Sequence, residues 1–158
     1  MAKKPAKKPK KPASKPKKPV KKPARKPAAS RRTVHIPGGR EHKNPVPALI
    51  SIGNMLFSAS ISGEKPVTDE VSPDPAEQIA YAFVKLANAV KAGGGTTANI
   101  ARINFYIPES GDRKALTEII NKEWLAMFPD PESRPVRKVY PMDVPRGLFI
   151  QLDFIAVL

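Results

Sequence analysis

The C-terminal stretch Leu148-Phe149-Ile150-Gln151-Leu152-Asp153-Phe154-Ile155-Ala156-Val157 constrains the fold more than any other segment. On an extended backbone, alternate side chains point to opposite faces. Leu148, Ile150, Leu152, Phe154 and Ala156 therefore share one face, and Phe149, Gln151, Asp153, Ile155 and Val157 share the other. The first set is wholly apolar and the second mostly so, which places the strand inside a sheet with something packed on each side.

Two upstream segments read as helices that can cover one face. Asp74-Pro75 is a helix start, with Asp as N-cap, Pro at the first helical position and Glu77 near the positive end of the dipole. Ile79, Phe83, Leu86 and Val90 follow at helical spacing, and Gly93-Gly94-Gly95 ends the segment as a C-cap and loop. Asp112 starts a second helix carrying Leu116, Ile119, Ile120, Trp124 and Met127, which Pro129 and Pro131 stop.

The other strands are expected at Thr33–Ile36, at 48–52 and 55–61 as a hairpin around Gly53-Asn54, at 100–107, and at 138–142. In the fourth of these, Ile103, Phe105 and Ile107 alternate with Arg102, Asn104 and Tyr106. Two helices with about six strands imply an α+β sandwich, helices on one face of a sheet. Nothing remains to cover the other face, so the sheets are expected to self-associate.

This domain, residues 34–158, follows a segment of different composition. Of 28 Lys and Arg residues, 15 lie in residues 1–32, which hold no Asp or Glu. The remainder carries 13 basic against 14 acidic residues, so the high isoelectric point describes residues 1–33 rather than the domain. Prolines at 5, 9, 12, 16, 19, 23 and 27 oppose helix, and like charges repel, so this tail is expected to be disordered. The same prolines exclude the amphipathic helix of a mitochondrial transit peptide.

Its cations are Lys3, Lys4, Lys7, Lys8, Lys10, Lys11, Lys15, Lys17, Lys18, Lys21, Lys22, Arg25, Lys26, Arg31 and Arg32. They suit nonspecific contact with the phosphates of nucleic acid or with other polyanions, and resemble the lysine-rich tails of linker histones. A solubilising arm, or attraction to anionic lipid, needs only the same charge. No aromatic residue is interleaved, so base stacking is not supported.

The chain has no cysteine, which removes disulfides, thiolate metal sites and a Cys nucleophile. His35 and His42 lack partners at ligand spacing, so no metal site and no cofactor is expected. No apolar run reaches the roughly 18 residues of a membrane span, and a cytoplasmic protein, nucleoid-associated through its tail, is the expectation. The chemistry-bearing stretch is Ser133-Arg134-Pro135-Val136-Arg137 between the second helix and the following strand. Two arginines there read either as solvated loop residues or as an anion anchor, since a guanidinium can grip a carboxylate through two parallel hydrogen bonds.

Several motifs in this order resemble the RidA (YjgF) family. They are Asn44-Pro45, Gly53-Asn54-Met55, Ser58-Ala59-Ser60, Gln78, Ala92-Gly93-Gly94, Asn99-Ile100-Ala101-Arg102, Asp112, Arg134-Pro135-Val136-Arg137 and Gln151-Leu152-Asp153-Phe154-Ile155-Ala156. The resemblance covers the chain from about residue 44 onward and excludes the tail. It implies a chorismate-mutase-like fold, a homotrimer, and hydrolysis of enamine or imine metabolites such as 2-aminoacrylate and 2-iminobutanoate to 2-keto acids and ammonia. Arg137 would then hold the substrate carboxylate in a cleft between subunits.

The resemblance also assigns Gln151 to the place of a water-positioning glutamate and Val46 to that of a tyrosine. The family's strand serine falls at Ala59, leaving Ser58 or Ser60 as its substitute, and the helix asparagine falls near Thr117. A neutral amide can orient water but cannot take its proton, so Gln151 forfeits general-base help. These departures leave open a noncatalytic or non-deaminase trimer that binds small ligands, or acts as a chaperone, tethered to nucleic acid by its tail.

Overall fold

A computed structural model of the protein describes Met1 and residues 30–38, 44–145 and 147–158. The lysines of the tail and Arg25 lie outside the described residues, as does His42. Arg31 and Arg32, expected in the disordered tail, instead belong to an edge strand, β1 (Arg31–Thr33), whose pairing with residues 50–52 replaces the strand expected at Thr33–Ile36.

β2 (Leu49–Ile52) and β3 (Met55–Ser58) form the expected hairpin, with Ile52 opposite Met55 and Gly53 at φ 60°. A two-residue turn with a left-handed first position matches the twist of the flanking strands, and glycine adopts it without steric cost. The strand then breaks at Ala59-Ser60 and resumes as β4 (Ile61–Ser62), a separate element that periodicity had merged with β3.

The two helices begin where their caps predict. In α1 (Pro75–Ala92) the Asp74 carboxylate accepts from the Ala76 amide at 2.8 Å, and in α2 (Arg113–Met127) Asp112 accepts from Ala115 at 3.0 Å. Each bond satisfies an amide that the first helical turn leaves unpaired. At the far end of α1 the Gly95 amide donates to Val90 O, with Gly94 at φ 91°, so the glycine run is indeed a helix terminator.

β5 (Ile100–Pro108), β6 (Val136–Met142) and β7 (Gln151–Val157) complete a seven-stranded sheet ordered β1-β2-β3-β7-β5-β6, with β4 also pairing β7. β5 and β6 are parallel, joined by α2, and every other pairing is antiparallel. The final strand starts at Gln151 rather than Leu148, because the Phe149 amide is diverted to a side chain of α1.

Both helices cover the same face. Ile79, Phe83, Leu86, Val90, Leu116, Ile120 and Trp124 pack on Leu49, Leu56, Ile103, Phe105, Leu152 and Phe154. Phe105 stacks on Phe83 at 5.7 Å and meets Trp124 edge-on at 6.2 Å. The opposite face presents Ile50, Ile52, Met55, Phe57 and Ile155, and no described element lies over it.

A fully buried polar side chain sits in this core. Gln78 is fully buried, and its Nε2 donates to Ser72 O and Gly147 O, each at 2.7 Å, while its Oε1 accepts from Phe149 N at 2.8 Å. One amide thus ties α1 to the loop before it and to the entry of β7. Gly63 approaches the same point so closely that a Cβ there would lie 2.9 Å from Gln78 O. Gln78→Leu leaves three backbone groups without their partner and is expected to cost about 3 kcal/mol. Urea unfolding at constant protein concentration measures this, and a loss under about 1 kcal/mol would mean the amide is dispensable.

Candidate functional site

The two arginines of the 133–137 loop have separate fates. Arg134 Nε donates to Phe128 O at 2.9 Å and its Nη2 to Pro129 O at 3.2 Å. These carbonyls close the C-terminus of α2, where a cation complements the helix dipole, so Arg134 braces the loop. Arg137 lies on β6 opposite Ile103, which turns it toward the helices. Its guanidinium carbon stands 4.7 Å from the centre of the Trp124 ring, and Nη2 donates to Asn121 Oδ1.

Arg137 Nη1 is buried with no hydrogen-bond partner among the described residues. Burial, and secondarily the charge of Arg134, lower its pKa from the ordinary guanidinium value, although a guanidinium remains cationic at neutral pH. The helix residue beside it is Asn121, not Thr117. Thr117 Oγ1 is taken by Arg113 O, one turn back at 2.7 Å, and Asn121 lies one turn further along, next to Trp124. Asn121 and Trp124, three residues apart, share one face of α2, and the packing of α2 on β6 brings that face to the guanidinium.

The second group of candidates gathers where β4 meets β7, beside α1. A cavity of about 400 Å³ is lined by Asn44, Ala48, Ser60, Ser62, Glu64, Lys85, Asn88 and Gln151, with the loop of Pro66, Val67 and Asp69 at its rim. Val67 and Asp69 hold positive φ angles of 77° and 57°, a conformation that a β-branched residue adopts only under strain. A larger and more open hollow of about 660 Å³, between residues 108–110, 142–145 and 147–149, contains none of the candidates.

Between the two serines the structure is unambiguous. Ser60 lines the cavity, whereas Ser58 Oγ accepts from the Phe154 amide at 2.9 Å where the strand break leaves that amide without a ladder partner. Val46 is 53% exposed and does not line the cavity. A cluster missed in the sequence adjoins Gln151: Ser62, its register partner across β4 and β7, donates from Oγ to Glu64 Oε2 at 2.9 Å, and Lys85 Nζ lies 3.8 Å from that same oxygen. These residues are spread over a loop, a strand and a helix, so no local spacing announces them.

Arg137 and Gln151 do not meet within one chain. Two strand steps separate β6 from β7, roughly 10 Å, and Arg137 pairs through Ile103 with Phe154, three residues or roughly 10 Å along from Gln151. Their register also puts them on opposite faces. Among the described residues no group of three or more His, Cys, Asp or Glu side chains could hold a metal ion, and no helix is long and apolar enough to cross a membrane.

The uncovered sheet face holds a polar network near Gln151. Asp153 accepts from Asn104 Nδ2 at 3.0 Å and from the Tyr106 hydroxyl at 2.5 Å, and Tyr106 stacks on Tyr140 at 5.6 Å. Burial, and then the bond and charge of Asp153, push the Tyr106 phenol up to about 12. A phenol whose folded pKa exceeds its unfolded value contributes stability below about pH 10 that is lost as pH rises toward 12. Alkaline titration followed by tyrosinate absorbance, wild type minus Tyr106→Phe, is expected to isolate a phenol ionising near pH 12. A difference curve centred at 10 would refute the network's hold on it.

No family model and no curated protein matches this sequence. Solved structures do. RidA from an Antarctic Psychrobacter is 17% identical, with a TM-score of 0.71 over 80% of this chain and 99% of that one. The yjgF gene product of E. coli is 20% identical, with a TM-score of 0.69 over 80% and 98%. Yeast Mmf1 is 16% identical, with a TM-score of 0.71 over 81% and 98%. The domain thus has the α+β, chorismate-mutase-like fold shared by the RidA and YjgF proteins.

Proposed function

We propose that the protein is a RidA-family hydrolase acting, as a homotrimer, on small carboxylate-bearing enamines and imines of the 2-aminoacrylate or 2-iminobutanoate kind, releasing 2-keto acids and ammonia. The arrangement of Arg137 carries this reading. A guanidinium held by Asn121 and stacked on Trp124 is fixed before ligand arrives, so little side-chain entropy remains to be lost on binding. Its buried, unpartnered Nη1 calls for an acceptor, and a carboxylate is the anion that matches the guanidinium fork.

The remaining chemistry needs a water beside the C=N carbon. Gln151 can orient one through its amide, and Ser60 shares the cavity. Because Arg137 and Gln151 are far apart and face oppositely in one chain, a small substrate touching both has to lie between copies. The uncovered apolar half of the sheet supplies the surface for that assembly, with Phe57 at its centre between Ile50 and Ile155.

Freshly generated 2-iminobutanoate is the test substrate. Wild type is expected to accelerate keto-acid formation, and Arg137→Ala to reduce kcat/KM by about 30- to 100-fold, as loss of a charged hydrogen-bonding anchor should. Trp124, the single tryptophan of the chain, gives an independent readout. Its fluorescence should change on titration with 2-ketobutanoate in wild type and not in Arg137→Ala. No acceleration by wild type would end the deaminase reading.

Assembly is checked separately by light scattering coupled to size exclusion. Wild type is expected at three times the chain mass, and Phe57→Asp at lower mass with lost activity. A wild-type monomer that retains full activity would refute the shared cleft.

A further inference from the structure

The cavity that contains Gln151 also contains a carboxylate with the ability Gln151 lacks. We propose that Glu64 is the general base of this site, oriented by Ser62 and Lys85. This role rests on the enamine/imine hydrolase reading above and specifies how its water is activated.

Three observations place Glu64 there. First, it lines the same cavity of about 400 Å³ as Ser60 and Gln151, and its side chain is only 17% exposed. Second, the register of β4 against β7 sets Ser62 directly opposite Gln151, and the Ser62 hydroxyl donates to Glu64 Oε2 at 2.9 Å. Ser62 therefore links the position opposite Gln151 to the carboxylate. Third, Lys85 from α1 lies 3.8 Å from Oε2 and its Nζ reaches Glu64 O at 3.4 Å, which fixes the loop carrying the carboxylate.

The ionisable groups lining the cavity, among the described residues, are Glu64, Asp69 and Lys85. β7 contributes the neutral Gln151, and α1 contributes Lys85 and the neutral Asn88. Asp69 sits at the exposed rim of the loop, so Glu64 is the shielded acid.

The chemistry balances with Glu64 alone as proton carrier. As the oxygen of the water bonds to the carbon of the protonated imine, the π pair moves to nitrogen and Glu64 takes a proton from the water. This forms a carbinolamine with an uncharged amine, its carboxylate still ionised. Glu64 then returns the proton to the amine nitrogen, the C–N bond breaks with its electron pair leaving on ammonia, and the hydroxyl proton passes to that ammonia. The products are the 2-keto acid and ammonium, with Glu64 again a carboxylate. An enamine substrate enters after tautomerising to the imine.

The experiment measures kcat and KM against pH for the full chain with 2-iminobutanoate. Glu64→Gln is expected to lower kcat by at least about 30-fold with KM within about threefold, and to abolish the fall in kcat on acidification that ionisation of a base produces. Glu64→Asp should recover part of the rate and restore the acid limb. Glu70→Gln, which removes an equal charge from an exposed ion pair of the same loop, should match wild type.

Should Glu64→Gln fail to fold, Ser62→Ala keeps every charge and is expected to lower kcat about 3- to 10-fold, within the range of one neutral hydrogen bond. Glu64→Gln within twofold of wild type and with the same acid limb overturns the proposal while leaving the hydrolase reading in place. A rate loss with an unchanged pH profile also overturns it, since that is the mark of a structural role. A wild-type protein that does not accelerate the reaction overturns both.

Discussion

The backbone ladder of β7 is the interaction on which the other elements depend. This strand bonds to β5 along one edge and to β3 and β4 in succession along the other, so each half of the chain reaches the sheet through it. Its inward side chains, Leu152, Phe154 and Ala156, belong to the core that α1 and α2 cover. The change from β3 to β4 along its edge leaves a gap in the ladder, and the cavity opens beside that gap because two short strands replace one continuous one. Ser58 closes the unpaired amide of Phe154 with its hydroxyl, which keeps the discontinuity from exposing a buried donor.

Entry into β7 is governed by Gln78. Its amide takes the Phe149 N–H that would otherwise continue the strand, so the ladder starts at Gln151 and that residue falls opposite Ser62. The helix side chain that fixes this entry packs against Gly63, between the cavity residues Ser62 and Glu64. Register carries this effect, since a slip of one residue would exchange the two faces of the strand.

Charge is distributed by the same geometry. Arg134 and Arg137 are three residues apart and chemically identical, yet one satisfies the carbonyls ending α2 and the other is held against Trp124 with a donor to spare. The difference is the start of β6 at Val136. Before it, the loop folds back to the helix end; after it, strand alternation turns Arg137 under α2. Likewise the acids lining the cavity, Glu64 and Asp69, come from the loop after β4, while β7 contributes the neutral Gln151.

Local rules made much of this legible in the sequence. Asp74 and Asp112 announced the helices, Gly53 the hairpin, and the 3.6- and 2-residue periods the buried faces of α1, α2 and β5, because each depends on neighbours a few residues apart. The resemblance pointed to Arg137 on the same footing, through a short motif. Tertiary structure alone decided the rest: that Asn121 rather than Thr117 holds Arg137, that Ser60 rather than Ser58 lines the cavity, that Arg31 and Arg32 join the sheet, and that Ser62, Glu64 and Lys85 line one cavity with Gln151. Each of these turns on strand register or on contacts between residues distant in the chain, and a single sequence records neither, since a shift of one residue in pairing changes every such neighbour while leaving the local pattern intact.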